Sequence, residues 1–227
     1  MRETKIRLSH IGVRLEELSA ILVTHEHNDH IKGIGPIGRA SNIPVYLTGT
    51  TRQAAHDWIG KGVRVKEFEA GTSFEIGEIR VEPFSISHDA ADPVGFSFYC
   101  GRHKAGIATD LGFASHLVIE RLKGADILVL ESNHDPAMLK DGPYPWHLKQ
   151  RVMGRQGHLS NEDAGRLIEE LLHDGLRHVM LAHLSQINNL PELAYEKMSG
   201  KLIEVSCDFV DVGVAGQDAI GAFCEVG

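Results

Sequence analysis

The sequence predicts an α+β domain in which mixed β-sheets are covered by helices. Apolar and β-branched runs separated by turn residues cluster between residues 63 and 99, which is typical of neighbouring strands. From residue 104 onward, short buried runs alternate with helical patterns, which indicates sheets with helices on their faces. No internal repeat and no linker interrupts the 227 residues, so we expect residues 1–227 to form a single domain.

The first half of the chain is predicted to be rich in strands. Gly12 ends a short helix, residues 20–23 form a buried apolar strand, and residues 31–35 turn into a helix. Gly101 and Arg102 form a hairpin turn after the last of the early strands. The predicted elements are a helix and a turn within 6–18, strands at 20–23 and 44–48, a helix at 50–58, and strands at 63–65, 73–76, 79–84 and 95–99.

The second half contains buried strands that each end in a polar residue. Ser160 is a good N-cap for the long helix that follows it, and we expect that helix to end at Gly175. The strands span 104–110, 126–131 and 178–183 and end in Asp110, Glu131 and His183, while further helices are expected at 117–122 and 191–198 before a β-like tail.

Composition excludes several classes of protein. The net charge of −8 leaves no global basic field that would attract nucleic acid. No apolar run approaches the roughly 18 residues needed to span a membrane, and the charged N-terminus lacks the apolar segment of a signal peptide. The three cysteines form no C-x-x-C pair and indicate reduced thiols, so we expect a cytoplasmic protein that does not bind a membrane.

The motif at residues 24–30, Thr-His-Glu-His-Asn-Asp-His, follows the buried strand at 20–23 directly. Loops at strand ends carry function because a rigid sheet aims them. Two histidines that are two residues apart point to the same side of an extended chain, and imidazole with carboxylate suits zinc, manganese, iron or cobalt. A polar surface loop is the alternative interpretation. The potential ligands are His25, His27, Asp29 and His30.

Three later strand ends carry further potential ligands, namely His88, Asp110 and His183. Together with the H-x-H-x-D-H motif they resemble the metallo-β-lactamase superfamily. That resemblance implies a four-layer αββα sandwich and two divalent metal ions, zinc or manganese, with a metal-bound hydroxide as nucleophile. It also implies that Asp29 orients the hydroxide. By the same resemblance His25, His27 and His88 hold one ion, Asp29, His30 and His183 hold the other, and Asp110 bridges them.

Local runs across nearly the whole chain also resemble the WalJ/YycJ-like subgroup, which is related to tRNase Z and the β-CASP nucleases. The resemblance implies a metal-dependent phosphodiesterase, a 5′-to-3′ exonuclease acting on nucleic acid, with DNA favoured over RNA. By analogy with tRNase Z, Glu131 orients His158, which protonates the leaving oxygen or binds the scissile phosphate. Alternatively, Glu131 is a buried cap and His158 merely begins a helix. The runs that carry the resemblance are residues 131–135, 144–145, 157–161, 184–185 and 188–189.

Basic residues are concentrated between Lys140 and His158, with Asp141 as the one acidic residue in that stretch. This distribution fits a track for phosphate groups, although a solvated helix face would show the same pattern. The candidate substrate contacts are His134, Lys149, Arg151 and Arg155.

Two other functions remain open at this point. A glyoxalase II-like thioesterase shares the ligand set, and a truncated fold could bind metal without turnover. The resembling family normally begins with a Gly/Ser-rich strand and a second strand that carries an L-x-D-x-G motif. This sequence starts after both. We therefore expect either that Met1 is not the natural start of the fold or that this form is impaired.

Overall fold

The computed structural model describes residues 1–221 and 223–225. The chain forms two compact units. Unit one comprises Met1–Pro83 and Ala90–Val94, and unit two comprises Phe84–Asp89 and Gly95–Gly227. The expectation of one domain stays a prediction. None of the described helices is both long and apolar enough to cross a bilayer.

Unit one contains a three-stranded parallel sheet in the order β1-β2-β3. Its apolar core includes Val23, Ile31, Val45 and Leu47, all nearly inaccessible to solvent. The strands are β1 (Ile21–Leu22), β2 (Val45–Thr48) and β3 (Val65–Phe68), and a hairpin joins β4 (Phe74–Ile76) to β5 (Ile79–Ser85). The helices are α1 (Arg2–His10), α2 (Asn28–Ile31), α3 (Ile34–Ser41), α4 (Gly49–Ala54) and α5 (His56–Ile59), with a 3₁₀ turn at Leu15–Glu17.

Unit two contains a larger sheet, in which the order of its last strands is β10-β9-β8-β7-β6. A tight antiparallel hairpin joins β6 to β7, and the remaining pairs are parallel. The strands are β6 (Val94–Cys100), β7 (His103–Ala108), β8 (Ile127–Glu131), β9 (His178–Ala182) and β10 (Asp211–Val214). The helices are α6 (His116–Leu122), α7 (Pro136–Asp141), α8 (Trp146–Met153), α9 (Asn161–Leu171) and α10 (Pro191–Glu204).

The parallel strands of unit two are in a register that brings their carboxyl ends together. Leu130 of β8 pairs with Ala108 of β7 on one side and with Leu181 of β9 on the other. Residues that follow these strands therefore leave the sheet on one side, at the carboxyl ends of the strands, and this side is called the edge below. Open parallel sheets place their functional groups there. Apolar residues of α6, α9 and α10 pack against the same strands and hold that edge in place.

The predicted class of mixed sheets covered by helices is confirmed, and most predicted strands lie within two residues of their observed positions. The long helix after Ser160 ends at Leu171, not at Gly175, because Leu172 already has an extended backbone with ψ 135°. The last helix extends beyond the predicted Met198 to Glu204. Helices α7 and α8 were not bounded by any sequence signal that we identified.

Candidate metal centre

The histidine motif of unit one forms a compact imidazole cluster directly after β1. The ring centroid of His25 lies 4.6 Å from that of His27 and 4.1 Å from that of His30. His25 is fully buried, and its Nδ1 lies 3.0 Å from the Thr24 hydroxyl oxygen. Asp29 is exposed, with Oδ2 3.4 Å from His30 Nε2. The structure thus brings the predicted ligands of this motif together in the segment that follows β1 and enters α2.

Two predicted ligands of unit two have unusual backbone conformations at the sheet edge. Asp110 has φ 57° and His183 has φ 58°. Residues other than glycine adopt this left-handed backbone conformation at a cost of about 1–3 kcal/mol. The surrounding structure holds this conformation, since the side-chain amide of Asn133 donates to the His183 carbonyl oxygen at 2.8 Å. Such strain clusters at functional sites because it aims a side chain that an ordinary strand end would direct elsewhere.

Glu131 is the hydrogen-bonding hub of this edge and is completely buried. Its Oε1 lies 2.9 Å from His158 Nδ1 and 2.7 Å from His183 Nδ1. Its Oε2 accepts hydrogen bonds from the backbone amides of Leu111 at 2.7 Å and Leu159 at 3.1 Å. Burial raises the pKa of Glu131, but the hydrogen bonds from both histidines outweigh it and lower the pKa to about 2. The group is therefore a carboxylate that accepts all four bonds.

An ionised Glu131 fixes the tautomer of both histidines. The carboxylate has no proton to donate, so Nδ1 of His158 and Nδ1 of His183 must each carry the hydrogen. In the neutral ring the lone pair then lies on Nε2, the arrangement usual in metal-ligating histidines that donate to a carboxylate. Since each Glu131 carboxylate oxygen already accepts two hydrogen bonds, the role of this side chain is to position its neighbours.

His88 completes the group of imidazoles in unit two. It is buried, and its Nε2 lies 3.6 Å from Asp110 Oδ1. Its ring centroid is 5.2 Å from that of His158. Burial lowers the pKa of His88, which favours the neutral imidazole that a metal ion requires.

The donor set of this edge fits a borderline divalent cation. One ligand atom from each of four side chains lies within 4.8 Å of the others. Neutral imidazole together with carboxylate oxygen is the set that zinc and manganese accept. The four side chains are Asp110, Glu131, His158 and His183. Because Glu131 already accepts four hydrogen bonds, two of them from the Nδ1 atoms of the histidines, the atoms of this group left for an ion are the Asp110 carboxylate oxygens and the Nε2 atoms of His158 and His183.

The predicted substrate contacts have different surroundings. His134 is buried, burial lowers its pKa, and its Nδ1 has no hydrogen-bond partner among the residues that the structure describes. Lys149 is also buried, and its ammonium donates to the Lys140 carbonyl oxygen at 2.5 Å. Arg151 Nε donates to Asp89 Oδ2 at 2.5 Å, whereas the Arg155 guanidinium stacks over an aromatic ring.

Two residues of this region were not identified from the sequence. Asn133 lies inside a run that resembles the WalJ/YycJ-like subgroup, but nothing in the sequence links its amide to the carbonyl of a residue on another strand. Phe113 follows Asp110 by three residues and has no charged or metal-binding group that would single it out.

Comparison with known proteins gives a consistent family assignment. Residues 3–184 match the family described as the β-lactamase superfamily domain. Exodeoxyribonuclease YycJ of Bacillus anthracis is 39% identical over 205 residues, which cover 89% of this chain and 78% of the relative. Exodeoxyribonuclease WalJ of Streptococcus pneumoniae is 36% identical over 211 residues, which cover 91% of this chain and 77% of the relative.

Solved structures agree on the fold. The metallo-β-lactamase fold protein YhfI from Bacillus subtilis superimposes with a TM-score of 0.68 at 19% identity, covering 88% of this chain and 76% of that chain. At this level of identity the similarity shows the fold alone, and it confirms the metallo-β-lactamase fold predicted from the sequence.

Proposed function

We propose that this chain, which belongs to the β-lactamase superfamily, is a metal-dependent exodeoxyribonuclease that uses two divalent ions. Relatives that match about nine-tenths of the chain are named exodeoxyribonucleases, which favours DNA as the substrate. The observation that carries the proposal is the pair of histidines held by the Glu131 carboxylate. One of them is a predicted metal ligand and the other is suited to donate a proton.

The metal ligands predicted from the sequence remain a prediction, with support inside each unit. The imidazole rings of His25, His27 and His30 cluster in unit one. In unit two, the imidazole and carboxylate groups around Asp110 suit zinc or manganese. Bound divalent ions would lower the pKa of a water molecule toward about 7 and so supply hydroxide as the nucleophile at neutral pH. Asp29 is proposed to orient that nucleophile.

The proposed role of His158 follows from its contact with Glu131. Hydrolysis forms a bond from the nucleophile oxygen to phosphorus and breaks the bond to the leaving oxygen, which departs as an alkoxide. A protonated His158 would give the Nε2 hydrogen to that alkoxide, while its Nδ1 keeps its own hydrogen and continues to donate it to the Glu131 carboxylate. Because the Glu131 carboxylate engages Nδ1, Nε2 is the ring nitrogen left to donate.

The leaving group provides the test. In His158→Ala, cleavage of a deoxydinucleotide, whose leaving alkoxide needs a proton, is expected to slow by about 10²-fold or more. Cleavage of a nitrophenyl phosphodiester should slow far less, because nitrophenolate leaves without protonation. The exposed His116 provides a matched control, and His116→Ala should match the parent protein on both substrates. An equal loss on both esters would rule out proton donation by His158.

The competing functions are separated by the choice of substrate. The metal-loaded protein should shorten DNA labelled at either end, with the order of release giving the direction, and should leave S-lactoylglutathione intact. Hydrolysis of that thioester without hydrolysis of DNA would favour a thioesterase. A full complement of metal without either activity would favour a binding protein.

A further inference from the structure

A cleft in unit two has no role in the reaction proposed above. Its volume is about 430 Å³. Its lining includes the apolar residues Ile119, Leu159 and Leu167 together with Phe113 and Arg155. Charged side chains also line it, namely those of Arg155, Asp163, Arg166 and Glu170. A cleft of this volume that combines apolar and charged groups is large enough to bind a small ligand.

Phe113 and Arg155 form a stacked pair in this cleft. The guanidinium carbon of Arg155 lies 3.7 Å from the centroid of the Phe113 ring. Arg155 is exposed, and no carboxylate lies within ion-pairing distance of it among the residues 1–221 and 223–225. Aromatic rings and arginine guanidinium planes are the groups on which proteins stack single-stranded nucleobases. An arginine that is in no ion pair keeps its charge available for a phosphate group.

Short hydrogen bonds tie this pair to the candidate metal centre. The Gly112 amide donates to the Ser87 carbonyl at 2.8 Å, and the Ser87 hydroxyl donates to the Arg155 carbonyl at 2.7 Å. A Cβ atom on Gly112 would lie 2.2 Å from the Arg155 carbonyl oxygen, so the two loops approach each other as closely as glycine allows.

The cleft is therefore close to the reacting groups. Phe113 follows Asp110, and Arg155 precedes His158, by three residues each. Three residues span at most about 11 Å. A ligand in the cleft thus lies within a few nucleotides of a phosphate bound near Asp110 and His158.

We propose that this cleft binds one nucleobase of the DNA strand close to the phosphate that is cleaved. This inference rests on the proposed nuclease function. The base would stack on the Phe113–Arg155 pair, and the Arg155 guanidinium would contact the phosphate attached to the same nucleotide. The Asp163–Arg166 ion pair and Glu170 also line the cleft and offer hydrogen-bond donors and acceptors to the polar edge of a base.

The test removes one base at a time from a short single strand. Phosphorothioate oligonucleotides resist hydrolysis, and each carries one abasic residue at a different position. Fluorescence anisotropy with the metal-loaded protein should show one position at which the missing base weakens binding by about 10-fold. In Phe113→Leu, which keeps an apolar side chain but lacks the aromatic face, that positional penalty should disappear. Arg155→Lys keeps the charge but not the guanidinium plane, so it should reduce the penalty and preserve the dependence on salt.

Phe209 offers a matched control, since it is a half-exposed aromatic residue that precedes β10 at the opposite end of the strands. Phe209→Leu should retain the positional penalty. Metal content and the urea midpoint of Phe113→Leu establish that the variant is folded. An undiminished penalty in folded Phe113→Leu, or tight binding without any positional penalty, would overturn the cleft proposal alone. Failure of the parent protein to bind or cleave any DNA would instead overturn the nuclease proposal.

Discussion

At the residue scale, one buried carboxylate determines the orientation of two imidazole rings. Glu131 receives hydrogen bonds from His158 and His183 and from the backbone amides of Leu111 and Leu159. The two amides belong to the residues that follow Asp110 and His158. Loss of this carboxylate would therefore disturb the side chains and the loops together.

Glu131→Gln tests this arrangement. An amide offers one acceptor oxygen and one NH₂ donor, so it cannot accept from two histidines and two backbone amides at once. Buried donors left without a partner cost about 1–3 kcal/mol each, and the free energy of unfolding should fall by about 2 kcal/mol or more. Metal content should also fall, since partners of ligating histidines affect affinity by about 10- to 100-fold. Urea unfolding and elemental analysis measure the two effects.

Glu120→Gln is the control, because Glu120 is an exposed glutamate of α6 that pairs with Lys123. It should change neither quantity appreciably, as surface ion pairs contribute little. Parent-like stability together with parent-like metal content in Glu131→Gln would show that the four bonds have no such role.

The pairing of Glu131 with His158 could be predicted from the sequence, but the contact of Glu131 with His183 could not. The first follows from a resemblance carried by two local runs. The second requires β8 and β9 to be adjacent, with Glu131 opposite Ala182 in the ladder. The left-handed backbone of Asp110 and His183 is likewise set by neighbouring segments, such as the Asn133 amide, and is not encoded in the residue type.

At the element scale, two of the predicted phosphate contacts lie on different faces of helix α8. Lys149 lies on its buried face and donates to Lys140, the last basic residue of α7, so it joins two helices. Arg151 is more than half exposed and pairs with Asp89. Exposure therefore favours Arg151 over Lys149 as the proposed contact for DNA, and that contact would replace the ion pair with Asp89.

Arg151→Ala and Lys149→Ala should accordingly differ. Each phosphate contact contributes about 0.7–0.9 to the slope of log affinity against log salt concentration. Arg151→Ala should flatten the slope by about that amount, whereas Lys149→Ala should keep the slope and lower the stability to urea. Arg102→Ala, in the β6–β7 turn, provides an exposed control. An unchanged slope in Arg151→Ala would remove this arginine from the phosphate track.

The bounds of elements were predicted best where a local signal exists. Ser160 caps α9, since its hydroxyl accepts from the Asp163 amide at 3.0 Å, in agreement with the capping box of the sequence. Gly175 does not end the helix, because the backbone is already extended at Leu172, whose side chain packs against the apolar core. Helices α7 and α8 are short, and each presents few buried residues, so neither produces a clear apolar period.

At the scale of the whole molecule, the net charge of −8 opposes a polyanionic substrate. The proposed binding of DNA would then depend on local groups, namely the exposed arginines of unit two and any cations held by the carboxylate and imidazole ligands. Metal ions would therefore contribute to the charge, the stability and the activity of the protein at the same time.

Metal removal and ligand substitution provide the last prediction. An ion that binds only the folded chain stabilises it by about 2.7 kcal/mol when free metal is at 100 times the dissociation constant. We expect close to two transition ions per chain and a large fall in the urea midpoint when a chelator removes them.

Asp110, the predicted bridging ligand, should matter for both ions, so Asp110→Ala should lower the occupancy of both and lose most of the stabilisation. His88→Ala, which alters a ligand predicted for one ion, should retain close to one ion and about half of the effect, and the exposed His116→Ala should retain all of it. Elemental analysis together with urea unfolding in the presence and absence of chelator measures each quantity. Unchanged metal content in Asp110→Ala would refute the bridging assignment, because no ligand set centred on that carboxylate could survive its removal intact.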